Sequence, residues 1–244
     1  MSSATRTSLD GSHVLVFGAS TGIGLATATA AKQQGASVTL VARTLAKLTA
    51  AAAHVGTART AVADITDRHS VAAVFADIER LDHLVITAGA LRVGRLADTD
   101  PDVLLSAVHE RIAGSVYAIK AALPLMSPTG SIVLTGGLLA DRPTGNGTAV
   151  VSAAVCAVEG LARALALELK PIRVNVISPG YVDTPMYDAF GAEGRAAILG
   201  QAAAVLPGGR VGSASEVGAA IVFLLSNGYV NGEVLHIDGA HRLV

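Results

Sequence analysis

The stretch VLVFGASTGIG, residues 14–24, decides the fold of this 244-residue chain. It opens with an apolar run that predicts a strand, and it closes with three glycines and two hydroxyl residues that lead into an Ala-rich helical pattern. Glycines permit a turn that a Cβ would block, and they let the backbone come close to a ligand. The helix that begins there offers unpaired N–H groups and a positive dipole end. The stretch therefore predicts a strand, a turn and a helix that together bind a pyrophosphate.

Short apolar runs rich in β-branched residues alternate with longer stretches in which apolar residues recur every three or four positions. The short runs predict strands at residues 14–17, 38–42, 60–63, 84–87, 131–135, 173–177 and 234–237. The longer stretches predict helices at residues 23–34, 45–54, 70–79, 101–126, 148–170 and 215–226. This alternation predicts right-handed crossovers and an open parallel sheet with helices on both faces.

No composition shift, low-complexity linker or tandem repeat marks a second domain. We therefore expect one α/β domain over residues 1–244, a doubly wound Rossmann fold with a parallel sheet of about seven strands. Segment 185–206 interrupts the alternation. It is rich in Ala and Gly and helical in character, and we interpret it as a substrate lid over the carboxyl edge of the sheet.

The composition limits the partners that this chain is expected to have. Its net charge of −1 leaves no basic excess for a nucleic-acid surface. The seven histidines are scattered, and none makes a ligand cluster with a second His or Cys, so no metal site is expected. The single cysteine, Cys156, excludes an internal disulfide, and its apolar helical surroundings predict a buried thiol.

The start of the chain shows no targeting signal. Residues 1–12 are polar and contain no apolar core of a signal peptide. The charge-free stretch 14–31 is as long as a membrane span, but its glycines and hydroxyl residues fit a strand, a turn and a helix better. We therefore expect a cytoplasmic protein that binds neither a membrane nor nucleic acid.

The pattern Gly18-xxx-Gly22-x-Gly24 resembles that of the short-chain dehydrogenase/reductase family, and the agreement continues along nearly the whole chain. ADIT at 63–66 resembles the family's adenine-contacting strand end. TAG at 87–89 resembles its Asn-Asn-Ala-Gly strand, with Thr87 in place of an Asn. The runs at 159–175 and 178–184 resemble its distal half, and residues 232–239 resemble its last strand.

This resemblance implies a nicotinamide dinucleotide as cofactor. The residues implied to contact it are Gly18, Ser20, Thr21, Gly22, Ile23, Gly24, Arg43, Thr44, Asp64, Ile65, Ala88, Gly89, Pro179, Gly180, Val182 and Thr184. At the end of the second strand a carboxylate suits a ribose 2′-hydroxyl, whereas an arginine suits a 2′-phosphate. Arg43 stands there, followed by Thr44, with no acid beside it. NADP(H) is therefore predicted, and NAD(H) is the alternative.

The resemblance also implies four catalytic residues, and this chain has none of them at the matching positions. In the family a Tyr transfers the proton, a Lys four residues later lowers its pKa and holds the ribose, a Ser polarises the substrate oxygen and an Asn holds a water relay. The matching positions carry Val151, Val155, Gly137 and Arg111. No Tyr-xxx-Lys occurs anywhere in the sequence, because the residues four positions after the tyrosines are Ala121, Pro185, Gly191 and Glu233.

The catalytic residues are therefore unknown at this point. Arg111 and Arg142 could hold a carboxylate or polarise a carbonyl without transferring a proton, and the alternative for each is a salt-bridged or solvated arginine. Tyr181 could come near a bound substrate, and the alternative is an ordinary loop tyrosine. For Val151 and Val155, packing into the core along one helical stripe is the simplest interpretation.

Three functions agree with these features. The first is an NADP(H)-binding oxidoreductase that acts on a small carbonyl or alcohol substrate without the Tyr-Lys acid. The second is a catalytically silent NADP(H)-binding subunit or sensor, and the third is a non-redox isomerase or cyclase. The resemblance further implies a homo-oligomer, a dimer or tetramer formed through helices 101–126 and 148–170. A hetero-oligomer with an active paralogue is the alternative.

Overall fold

Seven parallel strands build the main sheet within residues 8–244, the part of the chain that the computed structural model describes. They are β1 (His13–Phe17), β2 (Ser37–Ala42), β3 (Arg59–Val62), β4 (Leu81–Ile86), β5 (Met126–Thr135), β6 (Arg173–Pro179) and β9 (Val234–Ile237). Their order across the sheet is β3-β2-β1-β4-β5-β6-β9. A separate parallel pair is formed by β7 (Val182–Asp183) and β8 (Gly212–Ser213).

Helices cover both faces of this sheet. They are α1 (Gly22–Gln33), α2 (Leu45–Val55), α3 (Arg68–Val74), α4 (Pro101–Val108), α5 (Gly114–Ala122), α6 (Ala149–Glu168), α7 (Gly191–Val205) and α8 (Ala214–Ser226). In β1, Leu15 belongs to the core shared with α3, α5 and α6, whereas Val16 belongs to the core shared with α1, α2 and α8. Successive side chains of a strand point to opposite faces, so a sheet covered on both faces needs apolar residues at consecutive positions. The predicted doubly wound α/β fold is confirmed.

The prediction of one helix over residues 101–126 is wrong. α4 ends at Val108, His109–Ala113 form a π-helical turn, and α5 follows. Pro124 lies in the 3₁₀ turn Leu123–Leu125 after α5, and its nitrogen has no hydrogen to donate, so the helix cannot continue. β5 then begins at Met126, ahead of the predicted start at residue 131. Single π turns inside helices are frequent at functional sites.

The prediction of a buried thiol is also wrong. α6 turns Val151, Val155 and Val158 into the core, and Cys156 lies outside that face with an exposed side chain. Within residues 8–244, α6 is the one helix whose length and composition would let it cross a membrane. Of its apolar window 39% is buried, and the helix packs against β6 and the π turn.

The chain order places a crevice beside β1. From β1 the chain moves outward through β2 to β3 at the edge, and it then returns to place β4 on the other side of β1. Ligands of open α/β sheets bind outside the carboxyl ends of the strands where the order reverses in this way. Gly18 follows β1 and Thr87 follows β4, so both residues lie at this reversal point.

Candidate cofactor and active site

The glycine turn after β1 is bonded to both neighbouring strands. The amides of Gly18 and Ala19 donate to the carbonyl oxygen of Val41 in β2, at 2.8 and 3.2 Å. On the other side, the amide and the hydroxyl of Thr87 donate to the carbonyl oxygen of Phe17, at 2.9 and 2.8 Å. These bonds hold the turn in place at the carboxyl edge of the sheet.

Side chains are disfavoured at the three glycine positions of this turn. Gly18 has φ +85°, and a Cβ there would lie 2.7 Å from Oγ1 of Thr87. A Cβ on Gly24 would lie 2.3 Å from the carbonyl oxygen of Gly18. Gly22 has φ +55°, and its Cβ would lie 3.4 Å from Cβ of Thr184, so the segment after β6 comes beside the turn. The glycines are therefore required by the backbone and by the close approach of two other segments.

The start of α1 leaves its first amides to a ligand. Thr21 is the N-cap residue, and its exposed side chain makes no capping hydrogen bond. Ser20 and Ile23 flank it and are half-buried. Uncapped amides at a helix N-terminus attract anions through their hydrogens and through the helix dipole. The turn that contains Gly18, Gly22 and Gly24, which we call the glycine cradle, and the uncapped helix end thus fit the pyrophosphate of a dinucleotide. This is the group expected here.

The ribose end of the predicted site lies between β2 and β3. Arg43 and Thr44 are exposed after β2, and Thr44 is the N-cap of α2 without a side-chain capping bond. Partial burial acts to raise the pKa of Asp64. Hydrogen bonds from the amide and hydroxyl of Thr66, together with the positive charge of Arg43, outweigh it and lower that pKa. Asp64 is therefore an anion that is stabilised by the positive charge of Arg43 and accepts hydrogen bonds from Thr66.

The other predicted cofactor residues gather at the same edge. Ile65 is buried after β3, and Ala88 and Gly89 are half-buried after β4. The remaining positions follow or end β6, and they are Pro179, Gly180, Val182 and Thr184. The structure brings the predicted cofactor residues together from the carboxyl ends of five strands. Their contact with a cofactor stays a prediction.

Aliphatic side chains occupy the positions at which the family resemblance implies a proton donor. Val151 is 1% exposed and Val155 is 3% exposed. Val151 belongs to a small cluster with Ala107 and Ala154, against which Leu91 and Leu139 pack. Gly137 presents no side chain, and a Cβ there would lie 3.9 Å from Cγ1 of Val155. The side chains at these three positions can neither donate nor accept a proton.

Arg111 lies in the π turn and is 9% exposed. Its Nη2 donates to the carbonyl oxygen of Ala90 at 3.0 Å. A Cβ on Gly89 would lie 3.3 Å from Cζ of Arg111, so the guanidinium rests against the backbone that follows β4. Its Nη1 is buried and has no hydrogen-bond partner within residues 8–244. Burial lowers the pKa of Arg111, the charge of Glu110 raises it and that of Arg92 lowers it, with a net lowering.

Arg142 and Tyr181 both contact His241, which begins the last 3₁₀ turn, His241–Leu243. The exposed Arg142 donates from Nη1 to the carbonyl oxygen of His241 at 3.1 Å. The ring of Tyr181 lies 5.1 Å from that of His241 and 6.3 Å from that of Tyr187. Burial, with a smaller contribution from Tyr181, raises the pKa of Tyr187 to about 12. Arg142 thus matches the solvated alternative, while Tyr181 takes part in an aromatic cluster.

Two groups near the site were missed by sequence reasoning. The carboxylate of Glu110 accepts from Nη2 of Arg92 and from the amide of Ala90, both at 2.7 Å, and so fastens the segment after β4 to the π turn. Arg195 of α7 pairs with Asp183 and donates to the carbonyl oxygen of Thr184 at 3.0 Å. The neighbouring charges Glu110 and Arg111 were the available signal for the first group. The second depends on how α7 folds back.

Comparisons with known proteins agree with this geometry. A family model described as enoyl-(acyl carrier protein) reductase matches residues 18–240. A 3-oxoacyl-[acyl-carrier-protein] reductase from Bos taurus is 38% identical over 237 residues, which cover 93% of this chain and 97% of that protein. A galactitol 2-dehydrogenase (L-tagatose-forming) from Cereibacter sphaeroides is 34% identical, with 96% of each chain covered.

Solved structures share both the fold and the sequence pattern. One described as a small-chain dehydrogenase in complex with NADPH superposes with a TM-score of 0.83 at 32% identity, covering 96% of this chain and 100% of the other. The similarity spans the glycine cradle, the sheet and the distal segments. The protein therefore belongs to the short-chain dehydrogenase/reductase family.

Proposed function

We propose that this protein is an NADP(H)-dependent oxidoreductase that interconverts a small carbonyl compound and its alcohol. The observation that carries the proposal is the glycine cradle beneath the uncapped start of α1, with Arg43 exposed at the end of β2. The relatives agree in reaction type, since one is named a reductase and another a dehydrogenase of a sugar alcohol. An NADPH complex among the similar structures favours the same cofactor class.

The residues divide the work of binding along the carboxyl edge. Amides at the start of α1 would hold the pyrophosphate, and Arg43 would hold the 2′-phosphate. The bound dinucleotide supplies a hydride to a carbonyl carbon or takes one from an alcohol carbon. Val151, Val155 and Gly137 present only apolar atoms at the positions where the family resemblance implies polar groups, and they would exclude water from that side of the reacting region.

The proton has to come from a source other than a Tyr-Lys pair. Tyr187 is unsuitable, because a phenol with a pKa of about 12 is a poor acid near neutral pH. Water is the proposed donor. A positioned general acid contributes roughly 10²–10⁴-fold, so turnover is expected to be slower by that order than in relatives that possess one.

The test follows the absorbance of the reduced nicotinamide when the purified protein is mixed with NADPH and a panel of ketones and aldehydes. Slow turnover with NADPH, and a higher melting temperature in NADPH than in NADH, are expected. Stabilisation by NADPH without turnover of any ketone or aldehyde would instead identify the silent-subunit alternative. A shift with neither dinucleotide would remove the cofactor assignment.

We further propose that the protein assembles as a homo-oligomer through α5 and α6. Val116 of α5 is 42% exposed and Leu167 of α6 is 79% exposed, and Cys156 lies on the same outer side of α6. Apolar side chains of this size at a helix surface favour association with a second apolar surface. Light scattering during size exclusion tests the assembly, and a monomer at micromolar concentration would contradict it.

A further inference from the structure

We propose that Arg111 binds a carboxylate of the substrate, so that the protein acts on an oxo acid or its hydroxy acid. The inference rests on the proposed cofactor site, because it places the substrate beside the carboxyl end of β4. It deepens the proposed function by naming a charged substrate class. Arg111 stands at a position for which the family resemblance implies an Asn, so the family itself does not supply this role.

Among the described residues, Arg111 is neither a solvated nor a salt-bridged arginine, the two alternatives that the sequence leaves open. A solvated arginine would be exposed, whereas Arg111 is 9% exposed. A structural salt bridge needs an acid, and within residues 8–244 no carboxylate oxygen lies at ion-pair distance from this guanidinium. One of its nitrogens, Nη1, is left buried without a hydrogen-bond acceptor in the described part of the chain.

The neighbouring acid is already engaged. Both oxygens of Glu110 have donors at 2.7 Å, one from Nη2 of Arg92 and the other from the amide of Ala90. Arg92 is therefore the direct ion-pair partner of Glu110, and this group of three keeps one net positive charge. The charge of Glu110 still acts on Arg111, which has no ion pair of its own within residues 8–244. Burying a cation without a direct partner is costly, and an anion that reaches this guanidinium would offset the cost.

The position of Arg111 in the fold indicates that the anion belongs to the substrate. Arg111 lies against Gly89, which follows β4, and Thr87 two residues earlier contacts the glycine cradle. A dinucleotide whose pyrophosphate lies at α1 extends its adenosine half toward β2 and β3, where Arg43 and Asp64 are. Its other half then extends toward β4 and β5, and Arg111 lies on that side.

The experiment measures binding without turnover. Isothermal titration of the protein with NADP⁺ present uses two oxo acids, pyruvate and acetoacetate, and their uncharged ethyl esters. The oxidised cofactor cannot reduce these ketones, so the measured affinity reports contacts alone. Arg111→Met removes the charge at similar length, and Arg111→Lys keeps the charge. Arg95→Met removes an exposed arginine that, in the described part of the chain, pairs only with Asp98.

The expected result is a preference of the wild type for at least one acid over its ester. We expect Arg111→Met to weaken binding of that acid by roughly 10- to 100-fold, the share of a charged hydrogen bond, and to leave the ester unchanged. Arg111→Lys should retain part of the preference, and Arg95→Met all of it. The affinity for NADP⁺, measured alone, should be the same in all four proteins.

Three results would overturn the inference. The first is a wild type that shows no acid preference. The second is an equal loss for acid and ester in Arg111→Met, which would place the keto oxygen at Arg111. The third is a loss of NADP⁺ affinity, which would assign Arg111 to the cofactor. If Arg111→Met does not fold, Arg111→Lys decides, since a shorter cation must lower the preference. Carboxylate binding without any turnover would leave this inference standing and remove the proposed redox function.

Discussion

Gly24 and Thr87 are in direct contact across the crevice: a Cβ on Gly24 would lie 2.5 Å from the hydroxyl oxygen of Thr87. That hydroxyl donates to the carbonyl oxygen of Phe17 at 2.8 Å, so it cannot turn away without breaking a bond that joins β1 to the segment after β4. The start of α1 is therefore held against the sheet by a contact that only glycine permits.

Replacing Gly24 by Ala is predicted to damage the cofactor site. The added methyl group overlaps the carbonyl oxygen of Gly18 as well, so α1 must move outward, at a cost of about 1–3 kcal/mol. We expect a lower melting temperature and a loss of the stabilisation by NADPH. Gly200→Ala in α7 is the matched control, because nothing lies within 4 Å of its Cβ position and Ala favours a helix. An unchanged NADPH shift in Gly24→Ala would contradict the cradle.

Arg43→Ala is predicted to remove the preference for NADPH. A charge-assisted bond contributes about 1.5–3 kcal/mol, so the dissociation constant for NADPH should rise roughly 10- to 100-fold while that for NADH stays nearly constant. Arg59→Ala serves as the control. Arg59 is the first residue of β3 and therefore lies at the amino ends of the strands, away from the carboxyl ends where Arg43 lies. Equal affinity of the wild type for NADPH and NADH would show that Arg43 does not select the phosphate.

The fold could be predicted from sequence because its signals are local. The apolar runs of β1 and β4 and the glycine turn need no distant partner to be recognised, and the structure contains them at the predicted places. The predictions failed where a distant contact decides. Ser127, Thr129 and Gly130 do not resemble a buried strand, yet β5 includes them because it begins beside Leu81 of β4.

The candidate site divides in the same way. The glycines and Arg43 follow directly from their positions after a predicted strand. The environment of Arg111 does not, because Arg92 reaches Glu110 from a segment without regular structure, and this pairing leaves Arg111 without an ion pair within residues 8–244. A sequence shows that two charges are neighbours, but it does not show which of them a third charge neutralises.

Arg195→Ala is predicted to loosen the segment interpreted as a lid. Arg195 pairs with Asp183 and Asp188 and bonds to Thr184, whereas α7 itself buries only Ala202 within its described length. A helix with so few buried contacts opens easily once such bonds are removed. Hydrogen exchange over residues 185–205 should become faster, with a small change in global stability because exposed ion pairs contribute about 0.2–1 kcal/mol each.

Arg210→Ala provides the comparison for that experiment. Arg210 pairs with Glu216 at 2.6 Å at the start of α8, outside the lid segment. Its loss should leave exchange over residues 185–205 unchanged. Equal exchange in Arg195→Ala and the wild type would show that these ion pairs do not hold the segment.

Asp82→Asn is predicted to destabilise the fold in a pH-dependent manner. Burial acts to raise the pKa of Asp82, but hydrogen bonds from the His13 amide at 2.9 Å and from Arg80 at 2.7 Å, with the charges of Arg80 and His83, lower it overall. A carboxyl whose pKa is lower in the folded state stabilises the protein above its unfolded pKa, near 3.8, and loses this effect as the pH falls through the folded value.

Urea unfolding checks this sign. At pH 7 the wild type should exceed Asp82→Asn by about 1.5–3 kcal/mol in free energy of unfolding, the contribution of a charged hydrogen bond. The difference should shrink as the pH falls below 3.8, where the wild-type carboxyl becomes protonated. A difference that stays constant down to that range would mean that packing rather than charge distinguishes the two proteins.

Restoring a proton donor is predicted to accelerate the proposed reaction. The double variant Val151→Tyr and Val155→Lys places a phenol and an ammonium one helical turn apart on the buried face of α6. If hydride transfer already occurs, a positioned acid should raise the rate at saturating substrate by roughly 10²–10⁴-fold and introduce a dependence on pH that the wild type lacks.

The matched control, Val151→Phe with Val155→Met, adds similar bulk without an ionisable group. It also reports the cost of overpacking against Leu91 and Leu139, about 1–3 kcal/mol. An acceleration shared by both double variants would mean that pocket shape, and not the missing acid, limits the rate.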